Sequence, residues 1–117
     1  MSVKTLEMTM LFDFYGDMLT EKQREYFDLY YNEDLSLGEI ADNVGITRQG
    51  VRDIIVRAEN TLLDFERKTG IVARFEKRSQ ELNSAISIAE KIKSMSDSSE
   101  IKAEADRLIA LLDNMRG

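Results

Sequence analysis

The stretch that decides the fold runs from Leu35 to Arg57: Leu-Ser-Leu-Gly-Glu-Ile-Ala-Asp-Asn-Val-Gly-Ile-Thr-Arg-Gln-Gly-Val-Arg-Asp-Ile-Ile-Val-Arg. Two helices joined by a tight turn account for its pattern. Ser36 has the hydroxyl that caps a helix N-terminus, and Leu37, Ile40, Ala41 and Val44 follow at three- and four-residue steps. Gly45 suits a left-handed turn because it has no Cβ to clash. Ile46 is placed to plug the core beneath the turn, and Thr47 is a second N-cap. The next helix starts at Arg48 and keeps Val51, Ile54, Ile55, Ala58 and Leu62 on its inner side. This is the grammar of a helix-turn-helix, with the motif over about 36–66.

Arg48, Gln49 and Arg52 are the exposed residues at the start of the second helix, with Asp53 beside them, and Gly50 joins them as a DNA-facing candidate. In a helix-turn-helix that end enters the major groove of DNA. Arginine there can bond guanine O6 and N7, and glutamine can pair with adenine. Thr47 and Arg57 are the candidates for backbone phosphates. Gly50 costs about 1 kcal/mol relative to alanine in a helix interior. That cost fits either a close approach by another group or a tolerated surface glycine. A helical hairpin with no nucleic-acid role has the same outline, since fold does not fix function.

Upstream, residues 4–15 read as a helix with Leu6, Met10, Leu11, Phe14 and Tyr15 as its apolar stripe and Gly16 as its stop. Thr20-Glu-Lys-Gln is a capping box that opens a second helix. Tyr26, Phe27, Tyr30 and Tyr31 follow at helical spacing. Lys22 and Arg24 raise the alternative of base stacking, but these rings sit where a helix packs over the following motif, and core is the expectation. Downstream of Thr69-Gly70 two more helices are expected. The first, from Ile71 to about Met95, carries Phe75, Leu82, Ile86, Ala89, Ile92 and Met95 on one face. Asp97 with Glu100 is the expected capping pair for the last helix, which repeats Ile101, Ala105, Leu108, Leu112 and Met115 at heptad spacing. The chain thus divides into a helix-turn-helix domain, 1–70, and a C-terminal helical hairpin, 71–117, whose stripes must pack on the first domain or on another copy as a homodimer. Arg74, Lys77 and Arg78 form a secondary basic patch, either solvated or facing phosphate.

Composition narrows the function. The 117 residues contain no proline, cysteine or histidine, and 32% of them are charged. Disulfides, thiolate metal sites and the commonest general base are therefore excluded. Helix formers dominate, which favours an all-α protein. Gly45 and Gly50 have phosphate-loop spacing, but Val51-Arg52 stand where Lys-Ser/Thr is needed, so nucleotide binding there is rejected. No paired carboxylates suggest acid/base work and no calcium-loop spacing occurs, so neither enzyme activity nor a cofactor is expected. The longest apolar run, Leu108 to Leu112, is too short for membrane insertion, and no signal peptide is evident; a soluble cytoplasmic protein is the expectation. The net charge of −6 runs against a general nucleic-acid binder. Residues 1–70 hold eight Lys/Arg against fourteen Asp/Glu, whereas residues 71–117 hold eight of each. A DNA-facing surface must be local.

Leu19-Thr-Glu-Lys-Gln-Arg-Glu-Tyr-Phe, Leu35-Ser-Leu-Gly-Glu-Ile-Ala and Gly45-Ile-Thr-Arg-Gln-Gly-Val-Arg together resemble region four of bacterial sigma factors. In that family the second helix of the motif binds promoter DNA. No promoter-melting or polymerase-binding region precedes the motif here, so a complete sigma factor is not expected. The whole chain more closely resembles the YlxM family of small bacterial sigma-like helix-turn-helix proteins. It shares Met10-Leu-Phe-Asp-Phe-Tyr-Gly-Asp-Met-Leu-Thr20 and Gln23-Arg-Glu-Tyr-Phe27. That resemblance implies a DNA-binding regulator encoded beside signal recognition particle genes, with a role in that pathway. The leading expectation is a dimeric protein that binds double-stranded DNA and regulates transcription. Its rival is an interaction module that meets signal recognition particle RNA or its GTPase, through the aromatic and Met-rich N-terminal surface or the basic patch.

Overall fold

A computed structural model describes residues 6–116 of the chain, and every described element is helical. Helix α1 (Leu6–Tyr15) runs into a short 3-10 turn (Gly16–Met18). Helices α2 (Glu21–Tyr31), α3 (Leu37–Val44) and α4 (Arg48–Thr69) follow, then α5 (Ile71–Met95) and α6 (Ser99–Met115). The chain divides into two compact units, one ending at Val72 and the other starting at Ala73.

The start signals read from sequence are those the first unit uses. Thr20 and Gln23 close a reciprocal capping box, with Gln23 N–H donating to Thr20 Oγ1 at 3.2 Å and Thr20 N–H donating to Gln23 Oε1 at 3.0 Å. Ser36 and Glu39 do the same for α3, at 3.1 and 3.0 Å. Gly45 ends α3 with φ 76°, and Gly70 ends α4 with φ 63°. Both conformations are left-handed and favour glycine.

Two apolar clusters hold this unit together. Leu11, Tyr15, Leu19, Phe27, Ala58, Leu62 and Val72 form one, around α1, α2 and α4. Tyr26, Tyr30, Ile40, Ala41, Val51 and Ile55 form the other, beneath the helix-turn-helix. The α2 rings are core, as expected. Phe12 stacks on Phe27 with centroids 4.7 Å apart, Phe27 stacks on Tyr31 at 4.3 Å, and Tyr30 meets Tyr31 edge-on at 5.1 Å. Phe27, Tyr30 and Tyr31 are occupied by ring contacts and Tyr26 is buried, which removes the base-stacking alternative. Tyr15 ties the ends of the unit: its hydroxyl donates to Glu66 Oε1 at 2.6 Å and lies 2.6 Å from Thr69 Oγ1, while Val72 N–H donates to the same Glu66 oxygen at 3.0 Å.

Four expectations change. In α1 the buried positions are Leu11 and Tyr15 alone, and Leu6 and Phe14 face outward. The reason is that Leu-Glu-Met-Thr-Met-Leu-Phe-Asp-Phe-Tyr is apolar around most of its circumference, so periodicity cannot select a face. Residues 4 and 5 of the expected helix lie outside the described residues. Ile46 does not plug the core; it is 37% exposed and lies across Gly50. The α6 cap is Ser98, whose Oγ accepts from Ile101 N–H at 3.3 Å, in place of the Asp97–Glu100 pair. Finally, α6 turns Ala105, Ile109 and Leu112 inward and leaves Ile101, Leu108 and Met115 exposed. Its partner α5 buries Leu82, Ile86 and Ala89 but not Phe75, Ile92 or Met95. An ion pair of 2.7 Å between Lys93 and Asp106 joins the two helices.

Candidate nucleic-acid interface

The turn between α3 and α4 is built from short-range chemistry. Past Gly45 the backbone at Thr47 is extended, with φ −76° and ψ 157°, and the Thr47 hydroxyl accepts from Gly50 N–H at 3.0 Å. That oxygen keeps its own proton for donation outward. Gly50 explains itself within the chain: a Cβ there would meet Thr47 Oγ1 at 3.2 Å and Ile46 Cδ1 at 3.3 Å. The group that approaches it closely is the protein's own turn.

Arg48 opens α4 and is exposed. Its guanidinium lies over Gly38 in the first turn of α3, so that a Cβ at Gly38 would sit 3.0 Å from Nε and Nη2. Sequence reasoning gave Gly38 no role; a glycine one residue past a helix start has several ordinary explanations, and only the fold brings position 48 onto it. Gln49 donates from Nε2 to Asp53 Oδ1 at 2.9 Å, one turn along. Arg52 borders a hollow of about 230 Å3 that it shares with Tyr30, Leu37, Ile55, Val56 and Glu59. Arg48 and Arg52 are one turn apart on the same side of the helix. Arg57, nine residues after Arg48, is turned about 180° around the axis from it at 100° per residue. Arg57 therefore occupies the opposite flank of α4.

The electrostatics of this end are distinct. Helices α2, α3 and α6 each carry an acidic residue in the first turn, Glu21, Glu39 and Glu100, where it complements the positive end of the helix dipole. Helix α4, like α5, has none there, and what sets it apart is that it starts on Arg48. Among the described residues no carboxylate pairs with Arg48, Arg52 or Arg57 within 4.0 Å. The far end of α4 is different: Lys68 bonds Asp64 at 2.8 Å and Arg67 bonds it too, and these contacts hold the Asp64 carboxyl below the usual carboxylate range. Away from the turn, Tyr31 donates to Glu59, and burial, this bond and the Glu59 charge push the Tyr31 phenol well above its ordinary value. The basic residues Arg74, Lys77 and Arg78 are exposed on α5 in the second unit, where Lys77 borders a shallow depression with Glu81 and Ile88. Apart from the core tyrosines, none of the buried residues described is polar or charged, and no described group of three or more acidic residues is arranged to hold a metal ion. No described helix is long and apolar enough to cross a membrane.

Comparison with known proteins agrees with this architecture. The UPF0122 protein of Halalkalibacterium halodurans is 45% identical over 112 residues, which is 96% of this chain and 94% of that one. A UPF0122 protein of Desulforamulus reducens is 46% identical over 82 residues, 70% of each chain. One from Thermoanaerobacter sp. strain X514 is 56% identical over 69 residues, 59% of each. The model of the family described as "Putative helix-turn-helix protein, YlxM / p13 like", which is not an enzyme family, matches residues 2–105. With a match over that much of its length, the chain belongs to the UPF0122 family of YlxM-like helix-turn-helix proteins.

Proposed function

We propose that the protein binds double-stranded DNA through the N-terminal end of α4 and regulates transcription in the cytoplasm, acting as a homodimer so that two such helices address one site. The observation that carries this reading is the pair Arg48 and Arg52. They stand exposed one turn apart at the groove-entering end of the motif, without a carboxylate partner among the described residues. A cation at the positive end of a helix dipole is locally unfavourable, and a phosphate or guanine nearby reverses that sign. Arg48, Gln49 and Arg52 address base edges, and Thr47 and Arg57 address the backbone on either flank of the groove. Gly50 supports the reading indirectly, by letting Ile46 and the Thr47 cap lie flat against the helix start.

The test is selection from a randomised duplex library with the parent and an Arg48→Ala/Arg52→Ala variant in parallel. Enrichment of a two-part site by the parent alone is the expected result. Equal enrichment by both, at unchanged helicity, removes the assignment.

A second reading is favoured by the acidic first seventy residues and by the exposed Leu6 and Met18 among them. In it the protein serves the signal recognition particle pathway by contacting the particle's RNA or GTPase. Binding of either at micromolar concentration, unaffected by the arginine substitutions, is the outcome that selects it.

A further inference from the structure

The second unit carries more apolar surface than a two-helix hairpin can bury. In α6 a second stripe runs beside the inward one: Ile101, Leu108, Leu111 and Met115, at steps of seven, three and four residues, remain 46–58% exposed. In α5 the matching residues are Ile88, Ile92 and Met95, at 60%, 47% and 75%. A groove of about 590 Å3 has Ala89 and Ile92 of α5 on one wall and Ile101, Leu108 and Leu111 of α6 on the other. Ile92 of the α5 stripe and Ile101, Leu108 and Leu111 of the α6 stripe therefore open on the same side of the hairpin, and Ile88 and Met95 lie one helical turn to either side of Ile92.

We propose that this face is the contact between two copies of the chain, which closes two hairpins into a four-helix bundle. Three observations select that occupant. A lone antiparallel pair needs one apolar seam per helix, whereas a bundle needs a wider face of two adjacent stripes, the pattern present here. Seven side chains between 46% and 75% exposed leave on the order of 700 Å2 per copy, close to the roughly 800 Å2 per partner of a standard stable interface. Charge agrees as well. The face is bordered by Glu100, Glu104 and Arg107, and residues 71–117 hold eight cationic and eight anionic side chains. A surface that meets its own copy needs both signs, and a neutral unit approaches itself without repulsion. Residues 1–70, with eight cationic and fourteen anionic side chains, are a poor face for the same purpose. In supplying the second recognition helix the inference rests on the DNA-reading function proposed above; its test contains no DNA, so a monomeric parent removes this contact and the two-part site while leaving DNA contact by Arg48 and Arg52 to be judged by the duplex selection.

The test is sedimentation equilibrium of the full chain at about 100 μM, far above the micromolar dissociation constant expected of an interface this size. The parent is expected at twice its 13.4 kDa chain mass. A Leu108→Glu/Leu111→Glu variant of unchanged helicity by circular dichroism is expected as a monomer, with self-association weakened at least about a hundredfold by burial of unpaired charge. A monomeric parent overturns the proposal, as does a variant that stays dimeric. If the variant loses helicity, cross-linking decides. The chain has no cysteine, so Leu111→Cys copies are expected to be joined by a short bismaleimide. Lys102→Cys copies are not, because position 102 lies about 180° around α6. Equal or absent cross-linking at the two positions overturns the proposal.

Discussion

Gln49 and Asp53 share a 2.9 Å hydrogen bond on the outward side of α4, so the amide must leave a carboxylate before it can pair with a base. The same carboxylate opposes phosphate. Asp53→Asn is expected to tighten binding to unrelated duplexes up to about fivefold, the effect of one screened charge. Discrimination among duplexes should fall with it. Fluorescence anisotropy on matched and random duplexes measures both. The two flanks of the helix separate in the same assay. Arg52→Ala should cost about 1–3 kcal/mol on the selected site only, whereas Arg57→Ala should weaken every duplex alike and reduce the slope of log K against log salt by about 1. Tyr31 gives a pH dependence. Its phenol is raised above the ordinary value by burial, by the bond to Glu59 and by that residue's charge. In this state the folded chain holds the proton more tightly than the unfolded one. The stabilisation is complete below the unfolded tyrosine value of about 10 and is lost as pH rises beyond it. Tm is therefore expected to fall on the alkaline side, and Tyr31→Phe to make that fall shallower.

At the scale of elements, two glycines in one turn answer the same substitution differently. Gly45 has φ 76° and nothing within 4 Å of an added Cβ, so Gly45→Ala is opposed by backbone conformation alone and should cost roughly 1–2 kcal/mol in denaturant titration. Gly50 is helical and crowded by Thr47 and Ile46. The helix-propensity gain of about 1 kcal/mol offsets the crowding, and Gly50→Ala should be near neutral. The turn was legible in the sequence for the reason these substitutions test: caps and left-handed residues depend on neighbours three or four positions away. The Ser36 and Thr47 caps and both helix-ending glycines follow from such local chemistry. The stripes of α1, α5 and α6 were less legible because each helix has more apolar positions than one face holds, and only packing chooses among them. Ser98 was missed because Ser96, Asp97, Ser98 and Ser99 are all competent caps. The Arg48–Gly38 contact depends on how two helices pack across the turn, and the Tyr15 network depends on residues far apart in sequence. No local signal marks them.

At the scale of the molecule, the first unit holds two apolar clusters with different partners. Helices α2, α3 and α4 are consecutive, and the cluster beneath the helix-turn-helix is assembled among them. Helix α1 reaches past both intervening helices to α4: the Tyr15–Glu66 bond spans 51 residues of sequence. Closing so long a loop costs entropy before any contact is made, whereas neighbouring helices meet early. The order of assembly should follow, with the helix-turn-helix formed at the folding barrier and α1 arriving after it. Removal of the Tyr15 hydroxyl, which bonds a carboxylate and a threonine, should cost about 1–2 kcal/mol. In a stopped-flow chevron, Tyr15→Phe should then leave the folding limb in place and raise the unfolding rate about tenfold. The N-terminal helix would thus set how long the DNA-reading unit survives, while contributing little to how fast it forms.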